Sequence, residues 1–195
     1  MKNRKTTGSD GFSVEFYKMF WRFIKDLVIE SFFCAYDLGE LSIDQKRGII
    51  KLLPKKDKIL KFLKNWRPIS LLNTDYKILA HVLAQRLQHV LPGIIHPDQN
   101  GYIKGRFIGC NIRTIYDIID FSENKPVANL ITFIDYEKAF DNIKITYLIQ
   151  TLKTFGFGES FQKWIKIMYT NINSCVMNNG FSSKFFTLTK GVRQG

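Results

Sequence analysis

Apolar residues recur at helical spacing in the first long segment of the chain. From Ser13 to about Asp37, aromatic and aliphatic side chains return every three or four positions, which predicts a helix, and Gly39 stands where that helix would end. Residues 74–91 repeat the pattern with their apolar positions on one side, and Pro92 is expected to end this second helix. Further helices are predicted near 111–122, at 144–155 and at 159–170.

Short apolar runs between the helices predict strands. Residues 47–54 and 68–73 form two of them, with a basic loop between, and 128–135 forms a third that ends at Asp135. The stretch 96–106 is rich in turn residues. The final segment predicts two strands joined by a turn around Asn178-Asn179-Gly180. The whole pattern predicts an α+β fold, with helices packed on a small antiparallel sheet.

The composition adds a large positive charge to this picture. Lys and Arg number 29 against 17 Asp and Glu, a formal net charge of +12, and 45% of the residues are hydrophobic. Such an excess favours a polyanionic partner, either nucleic acid or an anionic membrane surface. No run reaches the roughly 18 uninterrupted apolar residues of a membrane span. The basic start of the chain lacks a signal-peptide core, so we do not expect secretion. Three widely spaced cysteines do not predict a zinc site.

Asp135 is the first candidate for chemistry, because a carboxylate at the end of a buried strand is costly unless it pairs with a base or binds a metal. Taken alone, it could also cap the following turn or pair with Lys138. Asp141 could N-cap a helix beginning near Ile143. Phe140 would by default pack in the core.

Five sequence blocks together resemble one protein family. The pattern of a strand, an aspartate, an aromatic residue and a second aspartate in FIDYEKAFD resembles the first palm motif of reverse transcriptases. The other blocks are similar, in family order, to motifs of the reverse transcriptase of non-LTR retrotransposons of the long interspersed element type: GSDGFSVEFYK (8–18), 48–87, 98–112 and KGVRQG (190–195). The resemblance implies a flexible segment at 1–12, followed by the fingers and an incomplete palm of a right-hand polymerase over 13–195.

The resemblance also implies a catalytic centre. Asp135 would be the catalytic ligand of two Mg²⁺ ions, assisted by the backbone carbonyl of Tyr136. Phe140 would pack where a ribose 2′-hydroxyl would sit, which favours deoxynucleotides and argues against an RNA-templated RNA polymerase. Gln194 would lie against the nascent base pair and the sugar of the incoming nucleotide, although RQG alone is more often a plain turn.

A dense basic run lies between the first two predicted strands. Residues 46–67 contain nine Lys and Arg against Asp57 alone. Without context such a run is a solvated loop. The resemblance assigns Arg67, with Lys55 or Lys56, to the incoming triphosphate, which suits a planar guanidinium and a compact ammonium charge. It implies contacts to nucleic acid from the following residues: Lys51, Lys58, Lys61, Gly105, Arg106 and Arg193. For Gly105 and Arg106, a turn glycine beside an exposed arginine is the alternative.

The family uses three carboxylates, two of them in an F/Y-x-D-D hairpin after the RQG block. This sequence ends before such a hairpin and before a thumb, so we expect the 195-residue fragment to be inactive as a polymerase. The implied partners are an RNA template, a DNA primer and deoxynucleoside triphosphates, in the nucleus or the cytoplasm, with no membrane and an open oligomeric state. Two alternatives are a non-catalytic remnant that binds nucleic acid and a decayed reading frame whose product does not fold alone.

Overall fold

The computed structural model of the chain describes residues 1–124 and 130–193. It divides into two compact units. The first combines Met1–Ala80 with Lys138–Gly195, and the second is His81–Glu137. A single partial polymerase domain over 13–195 stays a prediction.

The first helix, α1, covers Val14–Leu38 as its apolar spacing predicts. Ser13 caps its start, since the hydroxyl accepts a hydrogen bond from the backbone N–H of Phe16 at 3.2 Å. Gly39 ends it in the left-handed conformation, with its N–H donating to the carbonyl of Ala35. A one-turn helix, α2 (Ile43–Lys46), follows.

The sheet lies in the first unit and has five strands among the described residues. They are β1 (Arg47–Pro54), β2 (Trp66–Leu72), β3 (Asn173–Asn178), β4 (Phe181–Ser182) and β5 (Phe186–Thr187). Strand β2 pairs antiparallel with β1, and β4 and β5 pair antiparallel with β3. Strands β1 and β3, however, run parallel. The α+β class is confirmed, but the prediction of an antiparallel sheet is wrong in this respect. A connection of more than a hundred residues, with helices, allows the chain to return in the same direction.

The turn between β3 and β4 follows the sequence prediction. Asn179 and Gly180 have φ angles of 47° and 82°. Two consecutive positive φ values define the hairpin turn that Asn-Gly favours. The predicted pair of strands around this turn is confirmed.

The described residues form five more α-helices and a short 3-10 helix at Leu63–Asn65. The α-helices are α3 (Thr74–Ile94), α4 (Gly109–Glu123), α5 (Ala139–Asn142), α6 (Ile145–Thr154) and α7 (Glu159–Tyr169). In the first unit, α7 packs against α1 and α6. The prediction that Pro92 ends α3 is wrong, because the helix continues to Ile94. A proline this close to the C-terminus removes only one late hydrogen bond, and the N–H of Ile95 still donates to the carbonyl of Leu91 at 3.0 Å.

The predicted strand at 128–135 is absent from its described part, Leu130–Asp135, while 128 and 129 lie outside the described residues. Leu130, Phe133 and Ile134 are exposed. A strand needs a neighbour for its backbone hydrogen bonds, and the ladders among the described residues are formed by other segments. Asp135 is exposed. The prediction that it lies at the end of a buried strand is therefore wrong.

The N-terminal segment is attached to the junction between β2 and α3. The Asn73 side chain, which is fully buried, accepts hydrogen bonds from the Ser9 hydroxyl and the Asp10 N–H, and it donates to the carbonyl of Asp44 at 3.0 Å. A Cβ on Gly8 would lie 2.0 Å from the Asn73 side-chain oxygen. The flexibility of 1–12 stays a prediction, and these contacts argue against it at Ser9 and Asp10.

Candidate nucleotide and nucleic-acid site

The two faces of the β1–β2 ladder carry different residues. Successive side chains of a strand point to opposite faces, and directly paired residues share a face. Lys51 pairs with Ile69 and Leu53 pairs with Arg67, so these four residues lie on one face. The pair of Ile50 and Ser70, with Pro68, belongs to the other.

The first face carries two of the predicted ligand-binding residues. Lys51 and Arg67 are both exposed, and their register makes them diagonal neighbours. Diagonal neighbours in a ladder lie about 7–8 Å apart, a separation that allows two cations to contact adjacent phosphates.

The basic loop that joins β1 and β2 is held by its own hydrogen bonds. The indole of Trp66 donates to the carbonyl of Leu60 at 2.9 Å, and the Asn65 amide donates to that of Ile59 at 2.7 Å. Lys55 is half-buried, and its ammonium donates to the carbonyl of Lys64 at 2.7 Å. The remaining predicted lysines of the loop are exposed: Lys56, Lys58 and Lys61. Of the two candidates for the triphosphate lysine, Lys56 is thus the more accessible.

A cavity of about 180 Å³ lies on the opposite face of the sheet. Its lining comprises Ile50, Pro68, Ser70, Asp141, Leu188, Lys190, Gly191, Val192 and Arg193. The cavity brings together the sheet, helix α5 and the segment that leads to the predicted Gln194. Gln194 itself lies outside the described residues.

Helix α5 and residues 191–192 are joined by backbone hydrogen bonds. The N–H of Val192 donates to the carbonyl of Phe140 at 2.9 Å, and that of Gly191 donates to the carbonyl of Ile143 at 2.8 Å. Gly191 has a φ of 82°, and a Cβ there would lie 2.8 Å from the carbonyl oxygen of Asp141. Only glycine permits this backbone conformation and approach at low cost. Asp141 lies within α5, so the proposed N-cap near Ile143 is wrong.

Arg193 points inward. Its Nη1 donates to the carbonyl of Lys46 at 2.8 Å, and its guanidinium lies 4.4 Å from the centre of the Tyr76 ring. Its Nε and Nη2 are buried without a hydrogen-bond partner among the described residues, as is the hydroxyl of Ser174. Neither Tyr76 nor Ser174 was a predicted site residue: Tyr76 lies in the 48–87 block but was given no role there, and Ser174 belongs to none of the five blocks. A predicted contact of Arg193 with nucleic acid stays a prediction.

In the second unit, Arg106 binds the C-terminal end of α3. Its Nη1 donates to the carbonyls of His96 and Gln99 at 2.6 and 2.8 Å. Its Nη2 donates to those of Pro92 and Ile95 at 3.1 and 2.9 Å. Gly105 beside it has a φ of 83° and is exposed. Arg106 is half-buried, and its terminal donors are committed to main-chain carbonyls of the last turn of α3 and of the residues that follow it. Its role in binding nucleic acid stays a prediction.

The predicted metal ligands do not make up a two-ion site. Asp135 and Tyr136 are exposed residues of the second unit. The described residues contain no group of three or more His, Cys, Asp or Glu side chains that could hold a metal. Two ions about 3.5–4 Å apart need several oxygen ligands, and one carboxylate with one carbonyl is too few. Phe140, on α5 in the first unit, is 45% exposed. Within the same described ranges, no helix combines the length and apolar character of a membrane span.

Comparison with known proteins assigns the chain to a family. Residues 53–195 match the family described as reverse transcriptase (RNA-dependent DNA polymerase). The chain belongs to this family of nucleotidyltransferases, which confirms the resemblance of its motifs.

Its relatives are proteins of mobile elements. The chain is 38% identical over its whole length to an uncharacterized 149 kDa protein of transposon TX1 from Xenopus laevis, of which the match covers 15%. It is 27% identical over 74% of its length to a retrovirus-related Pol polyprotein of the type-1 retrotransposable element R2 from Popillia japonica, with 20% of that protein covered. A similar polyprotein of element R1 from Bradysia coprophila is 28% identical over the whole chain, with 19% covered. These relatives support the non-LTR retrotransposon assignment, and the chain spans a fifth or less of each.

Proposed function

We propose that this chain is part of an RNA-directed DNA polymerase of a retrotransposon, which copies an RNA template by extending a DNA primer with deoxynucleoside triphosphates. The family match over residues 53–195 carries the proposal. Relatives from three retrotransposon or transposon proteins support it. Placement in the nucleus or the cytoplasm stays a prediction.

The residues of the β1–β2 hairpin would hold the incoming nucleotide. Arg67 offers paired donors to phosphate oxygens, and Lys56 adds a point charge near the same hairpin. The exposure of both side chains supports this assignment. The ring of Phe140 would occupy the place of a ribose 2′-hydroxyl and so exclude ribonucleotides. Gln194 would contact the sugar and base of the incoming nucleotide.

The described residues of this chain do not supply enough ligands for the two metal ions that the reaction needs. When bound in the family, Mg²⁺ ions neutralise charge on the transferring phosphate and activate the primer hydroxyl. The chain contributes Asp135 and the carbonyl of Tyr136 to the predicted set. We propose that the 195 residues alone do not polymerise, and we assign no reaction step to an ion.

Primer extension on an RNA template tests the proposal. It should be measured with the 195-residue chain and with the translated product of the transcript read through the codon of Gly195. We expect extension from a longer product that contains an F/Y-x-D-D hairpin, none from the 195 residues, and none from the longer product with Asp135→Asn. Extension that survives Asp135→Asn would remove Asp135 from the catalytic centre. Inactivity of a longer product that contains all three carboxylates would refute the polymerase.

A second function, binding of nucleic acid without catalysis, is favoured by the exposed lysines of the β1–β2 loop. Contacts to phosphate release counterions, so log K falls as log salt rises. Each contact that is lost makes this negative slope less steep by about 0.7–0.9. We expect the combined substitution of Lys56, Lys58 and Lys61 by Gln to reduce the slope for a single strand by about 2. Affinity should fall to a similar extent for different base sequences.

The matched control removes the same charge elsewhere. Lys25, Lys153 and Lys184 are also exposed in the first unit, outside the basic run. Their combined substitution by Gln should leave the slope nearly unchanged. Equal effects of the two triple variants would show that net charge, rather than this loop, holds the nucleic acid.

A further inference from the structure

The segment Lys190–Arg193 connects helix α5 to the sheet. On one side, the N–H groups of Gly191 and Val192 donate to carbonyls of Ile143 and Phe140. On the same side the ammonium of Lys190 donates to the Asn142 side chain at 3.2 Å. The segment therefore contacts α5 and the residue after it, from Phe140 to Ile143; we call these four residues the Phe140 turn.

On the other side, Arg193 anchors the segment to β1 and α3. Its Nη1 reaches the carbonyl of Lys46, the residue before β1, and its guanidinium covers the ring of Tyr76 on α3. Gly48 lies beside the guanidinium at ordinary contact distance. A Cβ at Gly48 would lie 3.6 Å from Nη1 of Arg193 and 2.9 Å from the Leu72 side chain.

Fold stability alone does not explain an arginine at this position. Nε and Nη2 are buried without partners in the described part of the chain, and no acid is recorded within ion-pair distance of the guanidinium there. A buried cation with so few partners is costly, and an apolar side chain of similar volume is often as stable or more stable. The hydrogen bond and the ring contact do, however, define one position for the backbone of residue 193. A flexible apolar chain would not.

We propose that Arg193 is a positioning residue that holds the Phe140 turn in place through Gly191 and Val192, and thereby sharpens the choice between deoxynucleotides and ribonucleotides. The inference rests on the proposed function for its second half. Phe140 is the residue predicted to exclude the 2′-hydroxyl, and its own backbone carbonyl accepts the hydrogen bond from the N–H of Val192. Arg193 acts through the backbone and is not assigned a contact with the nucleotide.

Hydrogen exchange on the 195-residue chain tests the anchoring without any need for catalysis. The probes are the N–H groups of Gly191 and Val192, which donate to the α5 turn. In Arg193→Met we expect both to exchange at least about tenfold faster, while the N–H groups of α7 keep their protection. Unchanged exchange at Gly191 and Val192 would overturn the proposal. Loss of protection throughout the first unit would overturn it too, because the arginine would then support the fold in general.

Two further variants make the test specific. Arg193→Lys keeps the charge but loses the planar contact with Tyr76, and we expect intermediate exchange. Arg47→Met is the matched control, since Arg47 also lies over a ring, that of Phe185 at 4.7 Å, and is adjacent to Lys46. It should leave exchange at Gly191 and Val192 unchanged. An equal effect of Arg47→Met would overturn the assignment to Arg193.

Primer extension with an active polypeptide that contains the chain tests the second half. The readout is the ratio of kcat/KM for a deoxynucleotide to that for the matching ribonucleotide. We expect Arg193→Met to lower this ratio at least about threefold, and Arg47→Met to leave it unchanged. A loss of activity that is equal for both nucleotides would overturn the role in selectivity. If no such polypeptide extends a primer, the proposed function fails, while hydrogen exchange still decides whether Arg193 holds the turn.

Discussion

Replacement of Arg106 by alanine should selectively destabilise the second unit. Four N–H···O=C hydrogen bonds join its guanidinium to the carbonyls of Pro92, Ile95, His96 and Gln99. These bonds hold the end of α3 and the turns after it against one side chain. No other residue of this region makes so many contacts with main-chain carbonyls in the described structure.

The size of the effect follows from the burial of these groups. A hydrogen bond to a charged group contributes about 1.5–3 kcal/mol when it is well shielded. Three of the four bonds are exposed and only the bond to Ile95 is partly buried, so water can replace much of what is lost. A net contribution near 0.5–1 kcal/mol for each bond gives a total of about 2–4 kcal/mol for Arg106→Ala.

Urea unfolding, followed by hydrogen exchange within His81–Glu137, measures this loss. Arg113 provides the control, because it lies on α4 in the same unit and makes one exposed ion pair with Asp117, four residues on. Arg113→Ala should cost only about 0.3–0.5 kcal/mol. Arg106→Lys should recover less than half of the loss, since an ammonium cannot span four carbonyls in a planar fork. Equal losses for the Arg106 and Arg113 variants would refute the interpretation that Arg106 stabilises the second unit through its four bonds to main-chain carbonyls.

Three further predictions concern the first unit. Burial, with a smaller effect of Asp75, raises the pKa of Asp10 above 3.8. Folding therefore favours the protonated carboxyl, and the free energy of unfolding of the wild type falls as pH rises through the raised pKa. In urea unfolding, Asp10→Asn should increase the free energy of unfolding over that of the wild type by more at pH 7 than at pH 3. Gly191→Ala should lower the melting temperature clearly more than Gly180→Ala, because φ is 82° at both but open space surrounds only Gly180; equal losses would contradict this. Asn73→Ala should cost about 2–4 kcal/mol and make the N-terminal segment sensitive to protease, whereas protection equal to wild type would show that the segment is held elsewhere.

The sequence predicted most of the helices and the two strands β1 and β2 because their determinants are local. Ser13 and Gly39 bracket α1 by capping, and an Asn-Gly pair suffices for the turn at 179–180. The parallel pairing of β1 with β3 could not be predicted in this way, since nothing within either strand specifies a partner more than a hundred residues away. The same limit applies to 128–135, where an apolar run predicts extension but does not supply a neighbouring strand.

The candidate site shows a similar division. Arg67 and the loop lysines were assigned through the resemblance of the 48–87 block to a family motif, since their positive charge alone also fits a solvated loop. The inward position of Arg193 could not be predicted, because it depends on the backbone carbonyl of Lys46 and the ring of Tyr76. Arg106 was predicted as a ligand-binding residue, yet its observed partners are main-chain carbonyls, which every residue possesses and which therefore leave no sequence signature.

The parallel contact between β1 and β3 has a consequence for the order of events on the ribosome. Strand β1 ends at Pro54 and β3 begins at Asn173, so about 120 residues must be made before the second edge of β1 can be covered; at bacterial and eukaryotic elongation rates this takes roughly 6–24 s. A β1–β2 pair whose β1 edge is still uncovered would meanwhile be available to other nascent chains. The dense lysines of its loop give neighbouring copies the same charge, and their mutual repulsion would help to keep these early hairpins apart until β3 is synthesised.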